Sequence, residues 1–229
     1  MNVLGIDTST AAAAVCVRRS DGVAFESPVE PERLSRAPTH ARELLPLIEQ
    51  VVRESEVGWD DLDSVAVGVG PGGFTGLRIG IATARALAAS RSLEPRIVSS
   101  LAALSAGIAA SVRLPLLDAR RGEVCGALYE EGGERWPEFV LRPEVLVERL
   151  RDHSATPLAA GDGSLRFREA LEAAGVEVAP ADSTAHVVRG LHICRLAAET
   201  DAVPLEAVLP TYLRQPDTSR SQPQMADPQ

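Results

Sequence analysis

Two stretches of this chain are built on one plan. Residues 3–7, VLGID, form an apolar run ending in an aspartate. The polar turn Thr8-Ser9-Thr10 follows, then a second apolar run, AAAAVCVRR, which stops at Ser20-Asp21-Gly22. Residues 114–118, LPLLD, again end in an aspartate. The polar turn ARRGE follows, then VCGALYEE, which stops at Gly132-Gly133. Asp7 and Asp118 are 111 residues apart, and so are Gly22 and Gly133. Two hairpins of equal length with the same acid at the first turn point to an internal duplication. The expected product is an α/β protein of two related lobes, an N-terminal one over residues 1–112 and a smaller or degenerate C-terminal one over 113–214.

Between the hairpins the apolar period changes from two to that of a helix. Residues 39–55 place Leu44, Leu45, Leu47, Ile48, Val51 and Val52 on one broad face, with Pro46 expected to bend the helix. Residues 62–69 read as a strand, 96–98 as a short one, and Ser99 or Ser100 as the cap of a helix through Leu101, Leu104 and Ile108. In the second half, Pro143 suits a first helical position, PLAA reads as a strand, and Ser164 as the cap of the helix LRFREALEAA. Asp182 or Ser183 is expected to start a helix through Val187, Leu191 and Cys194. Residues 215–229 are almost devoid of apolar side chains and read as a disordered tail.

Composition limits the function. Apolar residues make up 45% of the chain and aromatics only 3%, so the core must be built from Ala, Val, Leu and Ile. The formal charge of −9 disfavours a freestanding nucleic-acid binder, which displaces counterions with cationic side chains. Cys16, Cys125 and Cys194 are widely spaced and form no C-x-x-C pair, as expected of buried small hydrophobes in a reducing compartment. The first residues do not read as a leader, and no apolar run reaches membrane-spanning length. A cytoplasmic protein without membrane contact is expected.

GVGPGGFTGLRIGIATARALAA, residues 68–89, looks like a phosphate loop opening a helix. It fits G-x-G-x-x-G only formally, since Gly68 lies within the strand and Glu94 precedes the next strand instead of ending it. No Gly-Lys-Ser/Thr follows, so it is not a P-loop. A tight strand-to-helix turn is the preferred reading, and an anion at the helix N-terminus is the alternative. Along the helix, Gly76, Gly80, Ala84 and Ala88 recur every four residues as a ridge of small side chains. Such a ridge admits close approach of another backbone. Each interior glycine costs about 1 kcal/mol relative to alanine, and a partner interface is preferred over the protein's own sheet as compensation.

The turns at Asp7-Thr8-Ser9 and Asp118-Ala119-Arg120 would face a central cleft in a two-lobed phosphotransferase. Both lack the Asp-x-Gly that brings backbone close to phosphate, Ser9 and Arg120 standing where glycine would. His40, His153, His186 and His192 are not spaced as metal ligands, so no metal site is expected.

In this order, MNVLGIDTST, THARELLPLIEQV, GVGPGGFTGLRIGIATARALA, VSSLAAL, LDARRGEV and LPTYLR closely resemble the TsaB (YeaZ) family. That family is the dimerisation subunit of the bacterial machinery that makes threonylcarbamoyladenosine in tRNA. The resemblance runs from Met1 to about Arg214 and implies the actin-like ATPase/sugar-kinase (ASKHA) fold. It implies a non-catalytic scaffold related to the catalytic subunit TsaD but without its His-x-x-x-His metal motif. The implied partners are a TsaD-like catalytic subunit and a TsaE-like ATPase, with a homodimer in isolation and tRNA met only through the complex. The implied interface is a bundle of two helices from each partner, here Leu44, Leu47, Ile48 and Val51 with Gly76, Gly80, Ala84 and Ala88. No cofactor is expected. Asp7, Thr8, Ser9, Gly72 and Asp118 mark a vestigial nucleotide or anion site where weak ATP or ADP binding is left open. Two departures stand out: Gly73 where members usually have Ser, and Cys125 where an aromatic is usual. The alternative is an ATPase, kinase or glycoprotease-like enzyme of the same fold.

Overall fold

The structure is a computed structural model that describes residues 1–151, 153 and 155–213. The tail expected at 215–229 lies outside the described residues.

The first sheet contains β1 (Val3–Asp7), β2 (Ala14–Arg18), β3 (Ala24–Glu26), β4 (Ser64–Gly68) and β5 (Glu94–Val98), in the order β3-β2-β1-β4-β5. The helices α1 (His40–Glu54) and α2 (Phe74–Arg91) flank β4 in sequence, and α3 (Ser100–Ser105) follows β5. The second sheet contains β6 (Arg113–Arg120), β7 (Glu123–Glu130), β8 (Gly133–Leu141), β9 (Leu158–Ala160) and β10 (Glu177–Val178), in the order β8-β7-β6-β9-β10. In both sheets the first three strands are antiparallel and the last two join in parallel. This is one unit used twice. The second copy carries α4 (Pro143–Arg151), α5 (Asp162–Arg166) and α6 (Arg168–Ala173), and ends with α7 (Gly190–Ala197).

Alternation along the strands builds a sandwich of layers. Leu4, Ile6, Val15, Val17, Val65 and Val67 face α1 and α2 in one core. Val3, Cys16 and Ala66, on the opposite face, meet Leu101, Leu104, Ile193 and Cys194 in a second core, which Leu117, Cys125 and Ala127 of the second sheet complete. A third core lies beyond that sheet, where Leu114, Leu116 and Leu128 meet Leu146, Leu150 and Leu171. All three cysteines are buried and free, as expected.

The last helix of each copy packs on the other copy's sheet: α3 lies against β6 and β7, and α7 against β1, β2 and the rest of the first sheet. The approach of α7 is close. A Cβ on Gly5 would stand 2.6 Å from Cys194 Sγ, and one on Gly190 would stand 2.6 Å from the Val15 carbonyl carbon. The chain then returns to the first lobe, where Val203 N donates to Pro95 O (2.9 Å) and Thr211 N to Val69 O (2.8 Å). The boundary at residues 112–113 therefore divides the sheets. The segment from α7 to Leu213, expected in the second lobe, packs largely on the first.

Locally, helix α1 is continuous from His40 to Glu54 with Pro46 inside it. Ser99 caps α3, accepting from Ala102 N at 3.2 Å. Ser164 is not a cap but lies inside α5, donating to Gly161 O (2.8 Å), and the expected single helix breaks at Phe167. Ser183 caps only a single 3-10 turn, Thr184–His186, and α7 starts separately at Gly190. Strands β3, β8 and β10 were not expected. Strand β8 is an edge strand whose charged, largely exposed half, Gly133 to Glu138, hides the alternation.

Candidate functional site

Chemistry-bearing residues of both lobes meet in the cleft between the sheets. Asp7 ends β1 and is fully buried. One carboxylate oxygen accepts Ser9 N (2.8 Å) and Ser9 Oγ (2.6 Å), and the other accepts Ser100 Oγ (2.7 Å). Burial pushes the Asp7 carboxyl above its usual range, against these hydrogen bonds. Ser100 Oγ also accepts Gly70 N (3.2 Å), so one serine ties the β1 turn to the glycine-rich turn. Gly68 admits no side chain, because a Cβ there would stand 1.8 Å from Asp7 Oδ2.

The turn a phosphate would need is filled by the protein itself. Ser9 O accepts Gly73 N at 2.7 Å, and a Cβ on Gly72 would come within 2.5 Å of that same oxygen. Thr8 Oγ1 donates to Gly76 O at 2.8 Å. Of the residues expected at a vestigial site, Asp7, Thr8, Ser9, Gly72 and Asp118, the first four bond or pack against the protein's own groups in the first turn. Asp7, Ser9 and Gly72 form a closed structural knot, in which Ser9 replaces the glycine that would leave room.

The second lobe's turn is wired differently. Asp118 Oδ1 accepts Arg120 N (2.8 Å), and Oδ2 meets Arg120 Nη1 (3.1 Å) and Arg166 Nη1 (2.8 Å). Arg120, Arg121 and Gly122 all have left-handed backbone, with φ of 63°, 53° and 79°. Asp162 Oδ1 caps the turn from below by accepting Asp118 N (2.9 Å). Burial, with help from Asp118, pushes the Asp162 carboxyl up to about 6.

Between the turns lies a cavity of about 620 Å³, lined among others by Thr8, Ser9, His40, Arg42, Thr75 and Arg120. A neighbouring cavity of about 700 Å³ shares Ala11, Asp118, Arg120 and Asp162 with it. Among the described residues, no three His, Cys, Asp or Glu side chains are placed to hold a metal ion. His186 is a lock in the second lobe: its Nδ1 accepts Gly161 N (3.0 Å), and its Nε2 faces Ala179 O (3.1 Å) and Pro180 O (3.0 Å). Cys125 has no aromatic role. It is buried beside Leu117 and Ala127, its thiol pushed up to about 12 by burial and nearby acids.

The ridge residues lie inside the protomer. A Cβ on Gly76 would stand 2.3 Å from Thr8 O, and one on Gly80 2.2 Å from Thr8 Oγ1; Ala84 and Ala88 are buried in the first core. Leu44, Ile48 and Val51 are buried beside them, and Leu47 is half-buried. The compensation for the helix glycines is therefore packing of α2 on the protein's own β1–β2 turn, so these glycines do not by themselves call for a partner. The opposite face of α2 is also built of small residues: Ala82, Ala86 and Ala89 are exposed, below Phe74 and Arg78 at its start. Leu45 on α1 is also exposed, by 58%. Periodicity alone missed this second stripe, because α2 is apolar on both sides.

The chain matches a family model described as TsaD, tRNA N6-adenosine threonylcarbamoyltransferase, over residues 25–209. It is 30% identical to the tRNA threonylcarbamoyladenosine biosynthesis protein TsaB of Escherichia coli (strain K12), over 93% of this chain and 95% of that one. The solved structure of YeaZ from Pseudomonas aeruginosa superposes with a TM-score of 0.72 at 26% identity, covering 93% of this chain and 99% of that chain. The ethanolamine utilization protein EutJ from Carboxydothermus hydrogenoformans shares the fold at a TM-score of 0.52 and 16% identity, covering 84% of this chain and 89% of that chain. With its duplicated sheets and crossed helices, the chain has the actin-like ATPase/sugar-kinase fold and belongs to the TsaB (YeaZ) family, whose named members serve tRNA threonylcarbamoyladenosine biosynthesis.

Proposed function

We propose that this protein is a non-catalytic scaffold subunit in threonylcarbamoyl transfer to tRNA, and that it docks a TsaD-like catalytic subunit through the outer face of α1 and α2. The observation that carries this reading is the outer stripe of α2. A surface helix normally buries one apolar face and solvates the other. Here the inner ridge is used up by Thr8 and the first core, yet Ala82, Ala86 and Ala89 continue as an exposed small-residue stripe, and Leu45 of α1 is exposed as well. Small residues let a second helix pair approach closely. A self-complementary patch of this kind also serves a two-fold homodimer, which the catalytic relative replaces one copy at a time. A TsaE-like ATPase and tRNA join through the assembled complex.

The closed knot at Asp7, Ser9 and Gly72 supports the absence of catalysis, since it leaves no phosphate cradle at the first turn. No membrane attachment enters this reading: no helix of the described residues is long and apolar enough to cross a membrane.

Sedimentation of the protein alone and with the catalytic subunit tests the proposal. Leu45→Glu and Ala86→Arg are expected to leave the melting temperature within a few degrees and to abolish both assemblies. Leu44→Ala removes a buried side chain and is expected to cost about 2–5 kcal/mol of stability without changing assembly of the folded fraction. Wild-type assembly by both outer-face variants, or ATP turnover by the pure protein, would sink this reading.

A further inference from the structure

We infer that Phe74, Arg78 and Tyr212 form an anchor on the outer face of α2 that takes a carboxylate, a Glu or Asp side chain of the docking helix, and that this anchor favours a partner other than a second copy. This rests on the docking role proposed for α1 and α2, and it names the chemistry that the partner brings.

The chain has eight aromatic side chains, four Phe, two Trp and two Tyr. Two of them lie together at the surface: Phe74 is 54% and Tyr212 45% exposed, with ring centroids 5.8 Å apart. Arg78 joins them. One turn after Phe74 on α2, it lays its guanidinium carbon 3.7 Å from the Phe74 ring centroid and donates from Nε to the Tyr212 hydroxyl (3.2 Å). Tyr212 is itself tied to the first lobe, because Thr211 N donates to Val69 O at 2.8 Å. The guanidinium is thus held by a ring face and one hydrogen bond, while Nη1 and Nη2 have no hydrogen-bond partner among the described residues.

Such a group is a preformed fork for a carboxylate, which it meets with two parallel N–H···O bonds. Holding it in advance lowers the ordering cost of docking. Tyr and Arg are also enriched among the residues that dominate the energetics of protein interfaces.

Charge on α2 points the same way. The chain carries a formal −9, yet the 18 residues of α2 include Arg78, Arg85 and Arg91 and no Asp or Glu. Arg91 pairs with Asp60 (3.5 Å) and Arg85 Nη1 reaches Val208 O (3.5 Å), whereas Arg78 meets no carboxylate among the described residues. Phe74, Arg78, Ala82 and Ala86 recur every four residues and are all exposed, so the anchor heads the small-residue stripe. A helix lying along that stripe can set one acid against Arg78.

A second copy brings the wrong charge. Packed α2 on α2 across a two-fold axis, it offers arginines and no acid to Arg78, a like-charge arrangement that disfavours self-association. Of the acids on α1, Glu43 is paired with Arg33 and Glu54 accepts from Gln50. Glu49 is then the acid of that helix left without a partner among the described residues.

Calorimetric titration of the full chain with the TsaD-like subunit, and sedimentation of the chain alone, test this. Arg78→Gln should raise the Kd of the mixed complex at least about tenfold and change that of the homodimer by less than about threefold. Arg78→Lys keeps the charge without the planar fork and should recover little of the loss. Tyr212→Phe removes only the hydroxyl that holds Nε and should weaken the mixed complex by about threefold. All these positions are exposed, and melting curves verify that each variant is folded at the titration temperature. Double-mutant cycles with single Glu→Gln and Asp→Asn changes on the subunit should find one acid whose loss costs nothing further once Arg78→Gln is present. Wild-type binding by Arg78→Gln overturns the inference, as does the absence of any coupled acid. So does a homodimer weakened as much as the mixed complex by Arg78→Gln and also by Glu49→Gln, which would assign the carboxylate to a second copy. Loss of both assemblies in Leu45→Glu and Ala86→Arg beside an unaffected Arg78→Gln refutes the anchor alone. Outer-face variants that assemble like the wild type refute the docking role itself, and the anchor with it.

Discussion

Asp7 and Asp118 occupy the same place in two copies of one unit, and they hold their turns by opposite means. Asp7 is sealed from water and satisfied by neutral donors, two hydroxyls and one backbone N–H. Asp118 sits at the cleft edge and is satisfied by two guanidinium groups and one backbone N–H. The first arrangement is rigid because nothing in it can be replaced by water. In the second, each arginine is about half exposed or more, and water can stand in for it. A duplicated turn thus became a sealed core element in one lobe and, in the other, a largely covered carboxylate held by exposed arginines.

The widest gap between the two should appear at their glycines. Gly68→Ala places a Cβ 1.8 Å from Asp7 Oδ2 and 2.9 Å from Ser100 Oγ, where both neighbours are locked by hydrogen bonds. The expected loss is about 3–5 kcal/mol, or failure to fold. Gly122→Ala meets nothing within 4 Å and pays only for its left-handed backbone, φ +79°, about 1 kcal/mol. Urea denaturation of both variants reads the difference. Equal losses would mean that the first turn relaxes as readily as the second.

The aspartates themselves should differ in the same sense. Asp7→Ala strands Ser9 Oγ, Ser9 N and Ser100 Oγ in a buried site, for an expected loss of about 2–4 kcal/mol. Asp118→Ala frees two arginines that reach solvent, and about 1 kcal/mol is expected. Raised salt should leave the first loss unchanged and shrink the second. If Asp118→Ala proves the costlier change, the distinction drawn between the two turns fails.

The duplicated fold was legible because strand pattern and turn chemistry repeat with one spacing from Asp7 to Gly22 and from Asp118 to Gly133. The third strand of each sheet and β10 were not, since short edge strands carry little alternation. The crossing of α3 and α7 was also hidden, because helix periodicity states that a face is buried and not by which sheet. The same limit applies to the small-residue ridge of α2. Gly76, Gly80, Ala84 and Ala88 correctly announced a close approach, but the approaching group is Thr8 of the same chain. At the candidate site, the missing glycine at Ser9 was legible, but that Ser9 O accepts Gly73 N and closes the first turn was not. His40 was read only as lacking a metal-binding partner, because the Thr10 carbonyl that fixes its ring nitrogen leaves no trace in sequence.

The smallest expected effect separates the lobes by pH. Asp162 has its carboxyl raised to about 6 from an ordinary 3.8, chiefly because burial penalises the charged form. A raised carboxyl favours the folded state when protonated. Its contribution is therefore complete below about pH 3.8 and is lost as pH rises through about 6. A shift of two units corresponds to roughly 3 kcal/mol for a group shielded from water. Asp162 borders the open cleft, so about 1 kcal/mol is the expected size. Asn at this position keeps the oxygen that accepts Asp118 N and cannot ionise. Asp162→Asn should therefore match the wild type near pH 4 and exceed it by about 1 kcal/mol at pH 7.5. Burial raises Asp7 in the same direction, so some pH dependence should survive in this variant. Asp118→Asn sharpens the test, because it removes the neighbouring negative charge and releases Arg120 and Arg166. The midpoint assigned to Asp162 should then fall below 6. Stability curves from pH 4 to 8 for the wild type and both variants decide it, and parallel curves for wild type and Asp162→Asn would refute a raised carboxyl in the second lobe.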